Sequence, residues 1–178
     1  MISSNKIKIY YHCNDVVLSK WIADIFIQQE IFLNFKKDEK NSLKITLDQK
    51  YIRLSLNNLD KKIILPVPFT SLKKIIFELI NTIEFDFQGL KYFPYLGIIQ
   101  TLSSKIKLSD NYNIILSNLF DNKDGIKKEK LYSCLWPSNK EYAINKLDTH
   151  LTNLKNFLKQ NCSLDFQFKS QKGLLKLI

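Results

Sequence analysis

EKLYSCLWP (residues 129–137), NKLDTHLTNLKNFLK (145–159) and KSQKGLLKL (169–177) follow one another in the last third of the chain. The first has the length and composition of a short helix, ended by Trp136-Pro137. The second carries Leu147, Leu151, Leu154 and Leu158, and with Ile144 ahead of them the apolar positions recur at intervals of 3, 4, 3 and 4. That is one apolar stripe of a helix with the opposite side left polar. Ser138 and Glu141 have the spacing of a capping box, which predicts a helix from Ser138 to Lys159. Leu164–Phe168 and Leu174–Leu177 alternate as strands of a terminal hairpin, with Gly173 where the chain needs freedom in φ.

Working back from this segment, Ser109 or Asp110 caps a helix that turns Tyr112, Ile115, Leu116 and Leu119 inward. Asp121–Gly125 is a turn, and Ile126–Leu135 is expected as one short helix. Between Glu84 and Leu108 short alternating pieces broken by Gly89, Pro94 and Gly97 predict a small antiparallel sheet. Nearer the N-terminus, Lys6–Tyr11 and Ile31–Phe35 read as strands around a helix over Asp15–Gln29, with Val16, Val17, Ile22, Ile25 and Phe26 at helical intervals. Leu43–Leu47 and Tyr51–Leu56 form a hairpin around Asp48-Gln49. Ile63–Leu65 is a short buried strand closed by Pro66 and Pro68. A helix capped by Thr70 then presents Leu72, Ile75, Ile76, Leu79, Ile80 and Ile83 on one stripe. The expected class is α+β: a small N-terminal α/β module over residues 1–83 and a second module over 84–178.

With 178 residues, 45% of them hydrophobic and 12% aromatic, the chain can bury real cores. The net charge of +10 favours a polyanionic partner or an anionic surface without choosing among DNA, RNA and membrane. Residues 105–178 hold 13 Lys against 7 acidic residues, a slightly denser excess than in the rest. Cys13, Cys134 and Cys162 have no paired spacing and no metal-ligand pattern exists, so neither disulfides nor a cofactor or metal is expected. No apolar run reaches the ~20 residues that span a bilayer, and no secretory pattern opens the chain. A cytoplasmic, nucleoid-associated protein without a membrane partner is the expectation.

Residues from about Phe85 to Leu177 resemble the C-terminal effector domain of OmpR/PhoB-family response regulators, a winged helix-turn-helix. Leu108, Ser109, Tyr112, Ile115 and Leu116 match the entry to that domain's first helix. Ile126–Glu129, Leu131, Leu135 and Trp136 match its second. Leu147, Asp148, Thr149, His150, Leu151, Leu154, Lys155 and Leu158 match its recognition helix. Tyr112 stands where the family has Glu, Lys127 where it has Ser or Thr, and Thr152 and Asn153 where it often has Arg. The wing pattern is reduced to Ser170, Gln171, Lys172, Gly173 and Leu174. The family's N-terminal half is a phosphoacceptor receiver, and Val67-Pro68-Phe69 with the helix after it resembles the receiver's closing segment. The clustered carboxylates, the acceptor Asp and the neutralising Lys that phosphotransfer needs have no counterparts in His12-Cys13-Asn14-Asp15 and Val67. The N-terminal module is therefore expected to be a degenerate, truncated receiver-like unit that works without phosphorylation.

The resemblance implies a DNA-binding transcriptional regulator, not an enzyme. The expected contacts to double-stranded DNA are Asn145, Lys146, Thr149, His150, Asn153, Lys155 and Asn156 on the long helix. Lys169, Ser170 and Lys172 are expected from the wing. Asn can pair both hydrogen-bonding edges of adenine, Thr can touch a thymine methyl group and Lys reaches phosphate. Arg53 is the sole arginine, so the helix offers no bidentate guanine reader, which favours A·T-rich sites. Asp148 is expected to pair with a cation, Trp136 and Phe157 to be core, and His12 and Cys13 to have no chemical role. A homodimer through residues 1–83 follows from the family's half-site pairing. The alternative is a winged-helix protein–protein adaptor acting on RNA polymerase or a chromosome factor.

Overall fold

The structure, a computed structural model, describes residues 9–28, 33–34, 42–139, 142–163, 166–171 and 173–178. It is α+β throughout, and its contacts divide it into two compact units, Ile7–Ile83 and Glu84–Ile178.

In the first unit the elements are β1 (Ile9–Cys13), α1 (Val16–Gln28), β2 (Leu33–Asn34), β3 (Ser42–Leu47), β4 (Tyr51–Leu56), β5 (Leu59–Ile64) and α2 (Phe69–Ile80). The sheet order is β2-β1-β3-β4-β5. β1 runs parallel to β2 and β3, while β3, β4 and β5 form an antiparallel meander. Alternation puts Leu43, Ile45, Ile52, Leu54 and Leu56 on one face, all buried. Leu18, Ile22, Ile25 and Phe26 of α1 and Leu72, Ile76, Leu79 and Ile80 of α2 complete this core. Trp21 of α1 meets Phe69, the first residue of α2, edge-on at 6.3 Å. Lys44, Thr46, Arg53 and Lys62, on the opposite face of the sheet, are exposed. Repeated βα units would instead make every pairing parallel and cover both faces.

Several expectations shift here. Val16 and Val17 are exposed, and Leu18 takes the inward place at the start of α1. Asp15 accepts a 2.7 Å bond from the Leu18 amide and so caps that helix. The last strand is not a short buried one: β5 spans six residues and is mostly exposed, because it is the sheet's outer strand. α2 starts at Phe69 behind Pro68, with no side-chain cap, and not behind Thr70. Lys6–Lys8 and most of Ile31–Phe35 lie outside the described residues.

The second unit opens with an antiparallel meander of β6 (Phe85–Phe87), β7 (Leu90–Phe93), β8 (Ile98–Gln100) and β9 (Lys105–Lys107). There follow α3 (Asp110–Asp121), β10 (Ile126–Lys127), α4 (Lys128–Leu135), α5 (Ile144–Cys162), β11 (Phe168–Gln171) and β12 (Leu174–Leu177). β12 pairs antiparallel with both β10 and β11. Ser109 caps α3 through its hydroxyl, which accepts from the Tyr112 amide. The meander is fastened to α3 by Tyr92. Its buried hydroxyl lies 2.6 Å from Ser117 Oγ and donates within reach of Asn113 Oδ1 at 2.7 Å. Its ring stacks on Phe120 at 5.3 Å, and Phe166 stacks on Phe87 at 5.1 Å.

Three boundaries differ from the sequence reading. Ile126 and Lys127 are strand and not the first turn of α4, because Ile126 pairs with Leu175 and is buried there. α5 begins at Ile144 behind Ala143, not at Ser138, which lies in a turn; Glu141 is outside the described residues. The outer hairpin strand starts at Phe168 and not Leu164, which is likewise outside them. Gly125 (φ +105°) is required where it stands, since a Cβ there would lie 2.9 Å from Lys176 Cγ and 3.0 Å from Leu174 Cβ.

Candidate nucleic-acid interface

α5 is positioned by its leucines. Leu147, Leu154 and Leu158 are fully buried and Leu151 nearly so, which fixes the helix's rotation about its axis. At about 100° per residue, Asn145, Thr149, Thr152, Asn153 and Asn156 then fall on the opposite side, and all are exposed. This outward stripe is polar and uncharged. Thr149 and Thr152 donate their hydroxyl hydrogens to the carbonyls of Asn145 (2.8 Å) and Asp148 (2.9 Å). Their methyl groups and oxygen lone pairs remain for a partner.

The cations flank this stripe. Lys146 and Lys155 are nine residues apart, which puts them on opposite sides of the helix. Lys146 is exposed and rests its ammonium 4.1 Å from the centre of the Trp136 ring. Lys155 is half-buried. α5 has no side-chain N-cap and no acid in its first turn, while Lys159 lies in its last turn. A cation at the C-terminal end suits the helix dipole, and Lys146 near the start opposes it.

His150 does not join the outward stripe. It is half-buried against Trp136, with ring centres 5.1 Å apart. Trp136 also packs on Tyr132 at 4.7 Å, and Tyr132 meets Tyr142 edge-on at 5.2 Å. Asn139 donates to the Tyr132 hydroxyl at 3.2 Å. Trp136 is therefore half-exposed and braces the first turns of α5 against α4, which corrects its assignment to the core. Phe157 is likewise half-buried, against Tyr112 at 5.3 Å. Sequence periodicity holds no signal for this aromatic group, because its members come from three separate segments. Asp148 pairs with Lys128 of α4 at 2.6 Å, as anticipated for a structural carboxylate. Its charge is thereby offset beside the outward stripe.

On the hairpin, Lys169 and Ser170 are exposed and lie opposite Lys176 and Leu175 of β12. Lys172 lies outside the described residues. In the other unit, His12 is exposed and Cys13 half-buried, and burial raises the Cys13 thiol above its ordinary value. Asn14 clips β1 to β3, accepting from the Leu47 amide at 2.7 Å and donating to its carbonyl at 3.1 Å. No group of three or more potential metal ligands occurs among the described residues. No helix among them is long and apolar enough to cross a membrane.

No protein-family model and no curated protein matches the chain. Among solved structures it is similar to one described as "a novel family of redox sensors in the streptococci evolved from two-component response regulators". The TM-score is 0.42 and the sequence identity 13%, over 97% of this chain and 67% of that one.

Proposed function

We propose that residues 84–178 form a winged helix that binds double-stranded DNA and regulates transcription by binding alone, without catalysis or phosphorylation. α5 enters the major groove with Asn145, Thr149, Asn153 and Asn156 toward the bases, and Lys146 reaches a neighbouring phosphate. The hairpin of β11 and β12 lies along the adjacent backbone, with Lys169 and Ser170 as its contacts. The observation that carries this reading is the outward stripe of α5: neutral, rich in Asn and Thr, and with its one flanking carboxylate offset by Lys128. The order helix, strand, helix, helix, hairpin, closed by a three-stranded sheet, supports the same reading. The test is fluorescence anisotropy on duplex DNA across a salt series. Displacement of counterions by Lys146, Lys169 and their neighbours makes affinity fall steeply with salt. A·T-rich duplexes bind more tightly than G·C-rich ones of equal length, since no arginine reads guanine here. Equal affinity removes the A·T preference.

The adaptor reading is favoured by one feature. α5 carries few cations for a DNA-reading helix, and half-exposed Trp136 and exposed Tyr142, backed by buried Tyr132, stand at its start. A flat salt response, or no duplex binding, selects a protein partner such as RNA polymerase.

A further inference from the structure

We infer that Trp136 is a positioning residue for duplex binding: its indole ring holds the Lys146 ammonium in place for a phosphate without neutralising its charge. The inference deepens the proposed function and rests on it. Trp136 directly follows α4, and its amide donates to the Tyr132 carbonyl at 2.9 Å. Pro137 comes next and restricts the backbone of Trp136. Buried Tyr132 packs on the ring at 4.7 Å, and His150 of α5 lies against it at 5.1 Å. The ring is thus held by residues of α4 and α5 at once.

Exposed Lys146 has its ammonium 4.1 Å from the centre of this ring. Among the described residues no carboxylate pairs with Lys146. Lys128 is the contrast, since Asp148 offsets its charge at 2.6 Å. An aromatic face attracts a cation through its quadrupole and carries no net charge. It therefore fixes where the ammonium sits and leaves the full positive charge for a phosphate. The ammonium has three donors, and those turned away from the ring are open to phosphate oxygens. Lys146 is the third residue of α5, where the helix dipole opposes a cation, so the helix by itself does not hold it there. A lysine free in water gives up its rotamers when it binds. Against the ring of Trp136 they are restricted beforehand.

The test is fluorescence anisotropy of the full chain on one A·T-rich duplex, with nuclear magnetic resonance of the free protein. In the free wild type the ring current shifts the ε-methylene protons of Lys146 upfield, and Trp136→Leu abolishes the shift. Trp136→Leu weakens duplex binding about 2- to 10-fold, the effect of having to order one long side chain. Trp136→Phe keeps an aromatic face and regains most of the loss. In a Lys146→Met background Trp136→Leu has little further effect, whereas a general loss of structure weakens binding equally in both backgrounds. Should Trp136→Leu fail to fold, fluorinated tryptophans at position 136 of a Trp21→Phe chain decide. They keep the shape of the ring and weaken its hold on a cation, so affinity falls as fluorines are added. A wild type without the upfield shift overturns the inference. So does a Trp136→Leu loss undiminished by Lys146→Met, or an affinity indifferent to fluorination. Any of these results in a chain that binds duplex leaves the proposed function standing, and a wild type that binds no duplex overturns both.

Discussion

Replacing Lys128 with Met tests how α4 equips α5. The Lys128 ammonium lies 2.6 Å from the Asp148 carboxylate, and the two side chains are 20% and 46% exposed. Fully exposed pairs contribute about 0.2–1 kcal/mol, whereas stripping the partner from a buried charge costs about 3–5 kcal/mol. Asp148 is almost half in water, so most of its loss is made good by solvent. The expected destabilisation is about 1 kcal/mol, or a fall in Tm of roughly 4–8 °C for a unit of this size. Lys128→Met also leaves a bare carboxylate beside the outward stripe of α5. Duplex affinity should then drop about tenfold at low salt and recover partly as salt screens the repulsion. The double variant Lys128→Met, Asp148→Asn removes the stranded charge and should regain most of both losses. Urea unfolding measures the stability term, and anisotropy on one duplex at two salt concentrations measures the other. Additive losses in the double variant would refute the pairing as the cause. An unchanged duplex affinity for Lys128→Met, with the stability loss present, would refute the placement of that side of α5 near phosphate.

Three further outcomes are expected. Lys146→Glu combined with Lys169→Glu abolishes duplex binding while the far-ultraviolet circular dichroism stays that of the wild type; a normal gel shift by this variant contradicts the proposed orientation of α5 and the hairpin. Tyr92→Phe leaves buried Ser117 without its 2.6 Å partner and costs about 1–3 kcal/mol in urea unfolding. Burial holds the Tyr92 hydroxyl above its ordinary value, so the wild type keeps this contribution below about pH 10, where an unfolded tyrosine titrates, and loses it as pH rises further; Tyr92→Phe should flatten that alkaline decline, and an unaltered decline assigns it elsewhere. Gly125→Ala puts a methyl group against Lys176 and Leu174 at a φ of +105° and should cost about 1–3 kcal/mol, read as a lower Tm; a neutral effect would show that β12 can move aside.

Much of the fold could be read from local pattern. The stripe Leu147, Leu151, Leu154 and Leu158 identified α5 and its buried side, and with them the outward Asn and Thr residues. The alternation in Leu43–Leu47 and Tyr51–Leu56 identified the β3–β4 hairpin with its inward residues, and Ser109-Asp110 announced the start of α3, Ser109 being the one of the two that caps it. In each case the deciding interaction joins residues a few positions apart, so the sequence records it directly. Asp148 could be read as a paired carboxylate, but not as the partner of Lys128, twenty residues away.

What the chain alone determined is therefore the set of helices and hairpins and the side each one buries, because side-chain period is a property of consecutive residues. Tertiary structure decided the rest. Ile126 is strand because Leu175 pairs with it, and β5 is exposed as the outer strand of its sheet among the described residues. Lys146 and His150, four residues apart on one flank of α5, meet the ring of Trp136, which directly follows α4. These outcomes depend on contacts between distant segments, whose register and packing leave no periodic trace in the sequence.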